Sequence, residues 1–272
     1  MTDISIVTAF FDIGRGSWTA EKGFPFYLAR SSDTYVERFA NLCQLKNDIT
    51  VFTSPDYEER LTKIAEKREG KTNILTIDLD ENFSEHLSTI ERIHSSESFK
   101  SKIHPSQIKN PEYWNKYYVL VTNLKARFTY SAIEQGLPIH EMVAWIDFGY
   151  VRDLKQIPQS KKWTYEFDPT KIHLFEYKEK DPGRSFEEII GLNDVHILGA
   201  KVVARKDMWY IMDKLMQESW EYLESIDMVD DDQGLWLISK HKDLESFECH
   251  KIPDHQEGHD PFILFNEFND SA

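Results

Sequence analysis

The chain has 272 residues and a formal net charge of −15, with Lys+Arg 32 against Asp+Glu 47, so it lacks the cationic excess that a nucleic-acid binder uses against phosphates. Its length supports one large α/β domain or two small ones without covalent staples. The two cysteines, Cys43 and Cys249, fit no metal-type spacing, and there is neither a leader-like N-terminus nor a run of eighteen apolar residues; a soluble cytoplasmic protein is expected.

Residues 4–11 form a β-rich run that stops at Asp12-Ile13-Gly14-Arg15-Gly16, a glycine-containing loop able to approach a ligand closely. Thr34 followed by Glu37 reads as a capping box opening a helix with Tyr35, Phe39 and Leu42 at helical spacing. Residues 49–52 predict a second strand. Ser54 and Pro55 open a second helix that ends near Gly70, and residues 73–77 predict a third strand. Residues 83–99 read as helical and 101–111 as a polar loop of the kind that borders a site. A long helix over 115–135 follows, with Leu120, Leu124, Phe128 and Ala132 every four residues, stopped by Gly136 and Pro138.

Val143-Ala144-Trp145-Ile146 then reads as a strand buried on both faces, ending at Asp147 and Gly149. Strands alternating with helices imply βαβ units, hence a doubly wound, mostly parallel central sheet. Ligands bind such sheets beyond the carboxyl ends of the strands, where Asp147 would stand. Capping of a turn explains Asp147 equally well, and both readings stay open. Downstream, 163–177 suggests a meander and 195–204 a strand, giving a smaller antiparallel part in the C-terminal half. Asp207 is expected to cap a helix carrying Trp209, Met212, Met216, Trp220 and Leu223 on one stripe. Asp230-Asp231-Asp232-Gln233 opens a short helix, and 247–252 is the last strand. One carboxylate suffices as a cap, so the other aspartates are available for chemistry.

The strand ending in Asp147, the Asp232-Gln233 pair and the C-terminal His255-x-x-Gly258 resemble, in that order, the motifs of GT-A glycosyltransferases. More narrowly, the opening Ile6-Val7-Thr8-Ala9-Phe10-Phe11-Asp12-Ile13-Gly14-Arg15-Gly16, the Asn123-Leu124-Lys125-Ala126 helix and Trp145-Ile146-Asp147-x-Gly149-Tyr150 resemble the HtrL/YibB family, associated with lipopolysaccharide and capsule gene clusters. The resemblance implies a single GT-A-like domain, with a nucleotide-binding half over 1–150 and an acceptor half over 151–272. It implies transfer from a nucleotide-sugar donor to a surface-polysaccharide or lipid-linked glycan acceptor, the latter compatible with peripheral membrane contact. Thr8, Ala9, Phe10, Asp12, Arg15, Lys125, Asp147 and Gly258 would bind the donor. Asp147 and His255 would hold Mn²⁺ or Mg²⁺, and Asp232, paired with Gln233 and with Asp231 in reserve, would be the catalytic carboxylate facing the reacting sugar. The chain departs from the GT-A pattern at Gly149, where a second chelating aspartate would stand. A non-catalytic binding protein and a metal-dependent phosphoesterase are the competing readings.

Overall fold

Seven consecutive buried residues, Ile4–Phe10, form the strand β1 about which the sheet is laid out. The structure is a computed structural model that describes residues 2–252 together with Phe262 and Phe265. After β1 come α1 (Ser32–Leu42), β2 (Ile49–Thr53), α2 (Pro55–Ala65), β3 (Thr72–Thr76), α3 (Leu79–Asn82), α4 (Ser84–Ser95), α5 (Glu97–Lys102), α6 (Lys116–Asn123) and α7 (Lys125–Glu134). The chain continues through β4 (Met142–Ile146), β5 (Ile172–Glu176), α8 (Phe186–Gly191), β6 (Ile197–Arg205), α9 (Lys206–Ser225), α10 (Asp232–Lys242) and β7 (Phe247–Lys251).

The strand order is β3-β2-β1-β4-β6-β5-β7. The pairings β1–β2, β2–β3, β1–β4 and β5–β7 are parallel, whereas β6 runs antiparallel to both neighbours. This is the mostly parallel α/β sheet with an antiparallel part that the alternation of elements predicts. Both faces are covered, which is why β1, β2 and β4 carry almost unbroken apolar runs. On one face Val7, Ala9 and Trp145 pack with Ile90, Leu120, Phe128, Trp209 and Trp236 from the large helical layer. On the other, Ile6, Phe10 and Ala144 pack with Val36, Phe39, Leu61 and Trp163.

Several local expectations are corrected. The cap of α1 is Ser31, whose hydroxyl accepts from the Thr34 amide, not Thr34 itself. The long helix breaks at Leu124 (φ −80°, ψ −1°), and the helical run expected over 83–99 divides at Ser96. Asp207 lies inside the first turn of α9, where it grips Arg205 at 2.5 Å. Within 163–177 only β5 is a strand; Trp163 and Phe167 are instead buried from a loop. The tryptophan stripe of α9 is core, with Trp209 Nε1 donating to the Val143 carbonyl at 3.0 Å. No helix among the described residues is long and apolar enough to cross a membrane.

Candidate active site

The chain leaves β1 toward β2 and β3 on one side and later returns to place β4 on the other, so the carboxyl ends of β1 and β4 flank a point where strand order reverses. Such a point leaves a crevice between diverging loops. A cleft of about 320 Å³ lies there, lined by Ala9, Phe10, Asp12 and Arg15 from the end of β1 and by Asp147 and Gly149 from the end of β4. Lys125 contributes from α7, and Asp231, Asp232 and Gln233 from the start of α10. Thr8 is fully buried within β1 and does not line the cleft. His255 and Gly258 lie outside the described residues.

The loop after β1 is held by its own side chains. Gly14 adopts φ 80° and donates its amide to Asp12 Oδ1 at 2.9 Å, while Tyr57 donates to Asp12 Oδ2 at 2.9 Å. Burial opposes ionisation of Asp12, but hydrogen bonds from Ser32, the Gly14 amide and Tyr57 prevail and hold its pKa below the usual value. Asp12 therefore shapes the loop. Arg15 projects from that loop with Nη1 donating to Tyr35 Oη at 2.6 Å and Nε to the Leu28 carbonyl at 3.3 Å. The rings of Trp18, Tyr35 and Tyr118 surround its guanidinium.

Lys125 is 5% exposed. Its ammonium donates to Asp147 Oδ1 at 2.7 Å, to Asp232 Oδ2 at 3.0 Å and to the Gly199 carbonyl at 2.7 Å. An ammonium has three donors, so all are engaged. Burial works against the charge, yet the two carboxylates outweigh it and raise the lysine pKa. The break at Leu124 starts α7 at this lysine. Asp147 Oδ1 also accepts from Trp145 Nε1 at 2.9 Å, and the Asp147 amide donates to the Ala200 carbonyl at 2.9 Å, which ties the end of β4 to β6.

At α10 the two candidate aspartates differ. Asp231 is the cap, accepting from the Gln233 amide at 3.0 Å; Asp232 lies deeper, 3% exposed, against Lys125. Burial, and then the nearby Glu112 carboxylate, push Asp231 up to about 7. Burial likewise pushes Glu112 up to about 7. Asp231 thus changes charge near neutrality, as a proton acceptor at this pH must. Gln233 lines the cleft, with Nε2 donating to the Ile197 carbonyl at 3.1 Å.

The same cleft also gathers arginines. Arg30 and Arg152 line the cleft beside Arg15, and Arg38 stands close enough that burial and the charges of Arg30, Arg152 and Arg15 lower its pKa. Sequence motifs did not single out Arg30, Arg38, Arg152, Tyr35 or Glu112. Only Arg152 carried a usable signal, being in the loop directly after the Asp147 strand.

For a divalent cation bridging Asp147 and a second carboxylate the fit is poor. A Cβ placed on Gly149 would lie 2.8 Å from Cδ1 and Cε1 of Tyr35, so a second carboxylate has no room there. A cation reaching both Asp147 and Asp232 would meet the Lys125 ammonium between them. Lys125 and Tyr35 thus occupy the places of a bridging cation and of a second chelating carboxylate; of the expected metal pair only Asp147 is described, His255 lying outside the described residues. Elsewhere, His173, Glu248 and His250 gather metal-type ligands on β5 and β7. There His173 Nδ1 faces His250 Nε2 at 2.9 Å with rings 20° apart, and His173 Nε2 meets the Asp168 carbonyl at 2.8 Å, the pattern of a neutral imidazole pair sharing a hydrogen bond.

Strand order and cleft together define an α/β protein with a crevice at the carboxyl ends of β1 and β4 that is lined by both carboxylates and arginines. A family model described as "Bacterial protein of unknown function (HtrL_YibB)" matches residues 2–267. Protein HtrL of Escherichia coli (strain K12) is 42% identical over 253 residues, covering 91% of this chain and 87% of that protein. The chain belongs to the HtrL/YibB family. Solved structures with a similar course include mouse xyloside xylosyltransferase 1 in its apo form, with TM-score 0.42 and 11% identity over 91% of this chain and 84% of that one. Core-mannan synthase A from Aspergillus fumigatus, in an Mn/GDP form, has TM-score 0.47 and 10% identity over 92% of this chain and 73% of that one.

Proposed function

We propose that the protein is a GT-A-type glycosyltransferase that moves a sugar from a nucleotide-sugar donor to a hydroxyl of a surface-polysaccharide or lipid-linked glycan. The observation that carries this reading is the charge composition of the cleft: its arginines suit a diphosphate, and its carboxylates suit a sugar whose ring becomes cationic as its bond to phosphate breaks. In this reading residues 1–150 supply most of the nucleotide side, and α10 supplies the sugar side.

The bond from the sugar anomeric carbon to the diphosphate oxygen breaks, and its electron pair leaves with the diphosphate. The acceptor oxygen forms the new bond to that carbon and gives up its proton. Asp231 is the group that takes it, since its carboxyl faces the cleft and titrates near neutrality. Asp232 serves through Lys125, fixing the ammonium that holds Asp147 in place. Gln233 offers an amide to the sugar hydroxyls.

The test is a panel of nucleotide sugars, with nucleoside diphosphate release followed by chromatography in the presence of lipid-linked and polysaccharide acceptors. Release with at least one donor, and a rise in Tm with the matching nucleoside diphosphate, is expected through preferential binding to the native state. A panel in which no donor is either bound or consumed would remove the proposal.

A further inference from the structure

Building on the nucleotide-sugar reading, we propose that the donor's diphosphate is held without a divalent metal: Arg15, Arg30, Arg38 and Arg152 take the phosphates, and Lys125 is a fixed cation bridging Asp147 and Asp232. Three independent features carry this.

The first is the ammonium itself. It lies between two carboxylates, 2.7 Å from one and 3.0 Å from the other, with its third proton on the Gly199 carbonyl. It therefore does the joining that a bridging cation would do, and it has no donor left with which to grip a phosphate.

The second is the packing at position 149. The volume that a second carboxylate would need is filled by the Tyr35 ring, and Arg38 Cδ lies 3.7 Å from the same point. The Tyr35 hydroxyl in turn orients Arg15. A cation-bearing wall thus replaces a cation-binding one.

The third is the arginine set. Arg127 pairs with Asp213 at 2.9 Å, whereas none of the four forms an ion pair among the described residues. Gathering like charges in this way, in a chain of net charge −15, is unfavourable unless an anion compensates them. Guanidinium forks match phosphate oxygens in pairs, and Nη2 of Arg15 has no partner among the described residues.

Titration calorimetry of the full chain tests this, with inorganic pyrophosphate and a panel of nucleoside diphosphates as probes, in excess EDTA and again with Mn²⁺ or Mg²⁺. The expected result is the same affinity in both conditions, weakened about tenfold by Arg152→Gln and by Arg30→Gln, as loss of one charge-assisted hydrogen bond implies. Arg152 is exposed, so its variant keeps the fold. Binding that appears only with metal overturns the inference and leaves the donor reading standing. Metal-independent binding that no arginine substitution weakens overturns the arginine assignment. Absence of binding in either condition removes the donor reading and this inference with it.

Discussion

Replacing Lys125 by methionine would keep the length of the buried stem and delete the charge between Asp147 and Asp232. Breaking a buried ion pair from one side leaves the other charge uncompensated, at a cost of about 3 to 5 kcal/mol. Asp232, with 4% of its side chain exposed, carries most of that cost, while Asp147, at 39%, is partly relieved by solvent. In a chain of this size the loss corresponds to roughly 10 °C in Tm. The pH dependence has a definite sign. Burial already holds the Asp232 carboxyl above its ordinary pKa and, without the ammonium, it rises further, so its penalty is absent where both states are protonated and complete above the folded pKa. The deficit relative to wild type should therefore be smallest near about pH 5 and widest near about pH 8. Thermal and urea unfolding across that range measure it. A variant within about 1 kcal/mol of wild type at every pH would show that Lys125 behaves like a surface ion pair, and the bridging argument would fail.

Asp231→Asn should preserve the cap and hence Tm, since asparagine caps as well as aspartate, while the sugar-transfer rate falls by about 10²- to 10⁴-fold. For wild type the rate should rise as pH climbs through about 7, where Asp231 loses its proton; a flat profile, or an asparagine variant at full rate, would move the proton acceptor elsewhere. Gly149→Ala should displace Tyr35, whose ring carbons would lie 2.8 Å from the new methyl, costing about 1 to 3 kcal/mol and weakening pyrophosphate binding through the loss of Arg15's partner. Adding Tyr35→Ala should restore much of the stability but not the affinity, and a strictly additive double mutant would rule out the contact.

The central sheet was legible because its strands are buried on both faces. An unbroken apolar run such as that of β4 has few other ways to fold when bounded by a turn. The break at Leu124 was not legible, because Leu120, Leu124 and Phe128 all reach the same core cluster across it and the four-residue spacing survives. Trp163 and Phe167 misled for a related reason: aromatics raise strand propensity, but here burial from a loop satisfies them. In the cleft, residues next to strand ends were readable from position alone, as Asp147 and Arg15 illustrate. Arg38 and Tyr35 come from α1, and only sheet geometry brings that helix to the cleft. Lys125 entered through the Asn123-Leu124-Lys125-Ala126 resemblance as a donor-binding residue, and sequence could not tell that its ammonium meets two aspartates.

The floor of the cleft has been fitted to a tolerance smaller than one methyl group. A Cβ on Gly199 would fall 2.7 Å from Asp232 Oδ2, as one on Gly149 would fall 2.8 Å from the Tyr35 ring. Both glycines face a side chain that lines the cleft, so the floor acts as a template that records the shape of the groups above it. Attempts to retune such a protein toward another sugar or nucleotide would find almost no freedom there. Room for a new side chain exists only at the rim, beside Arg152, which is exposed, and Arg30, which is half-buried, where a side chain can grow toward solvent instead of into its neighbours.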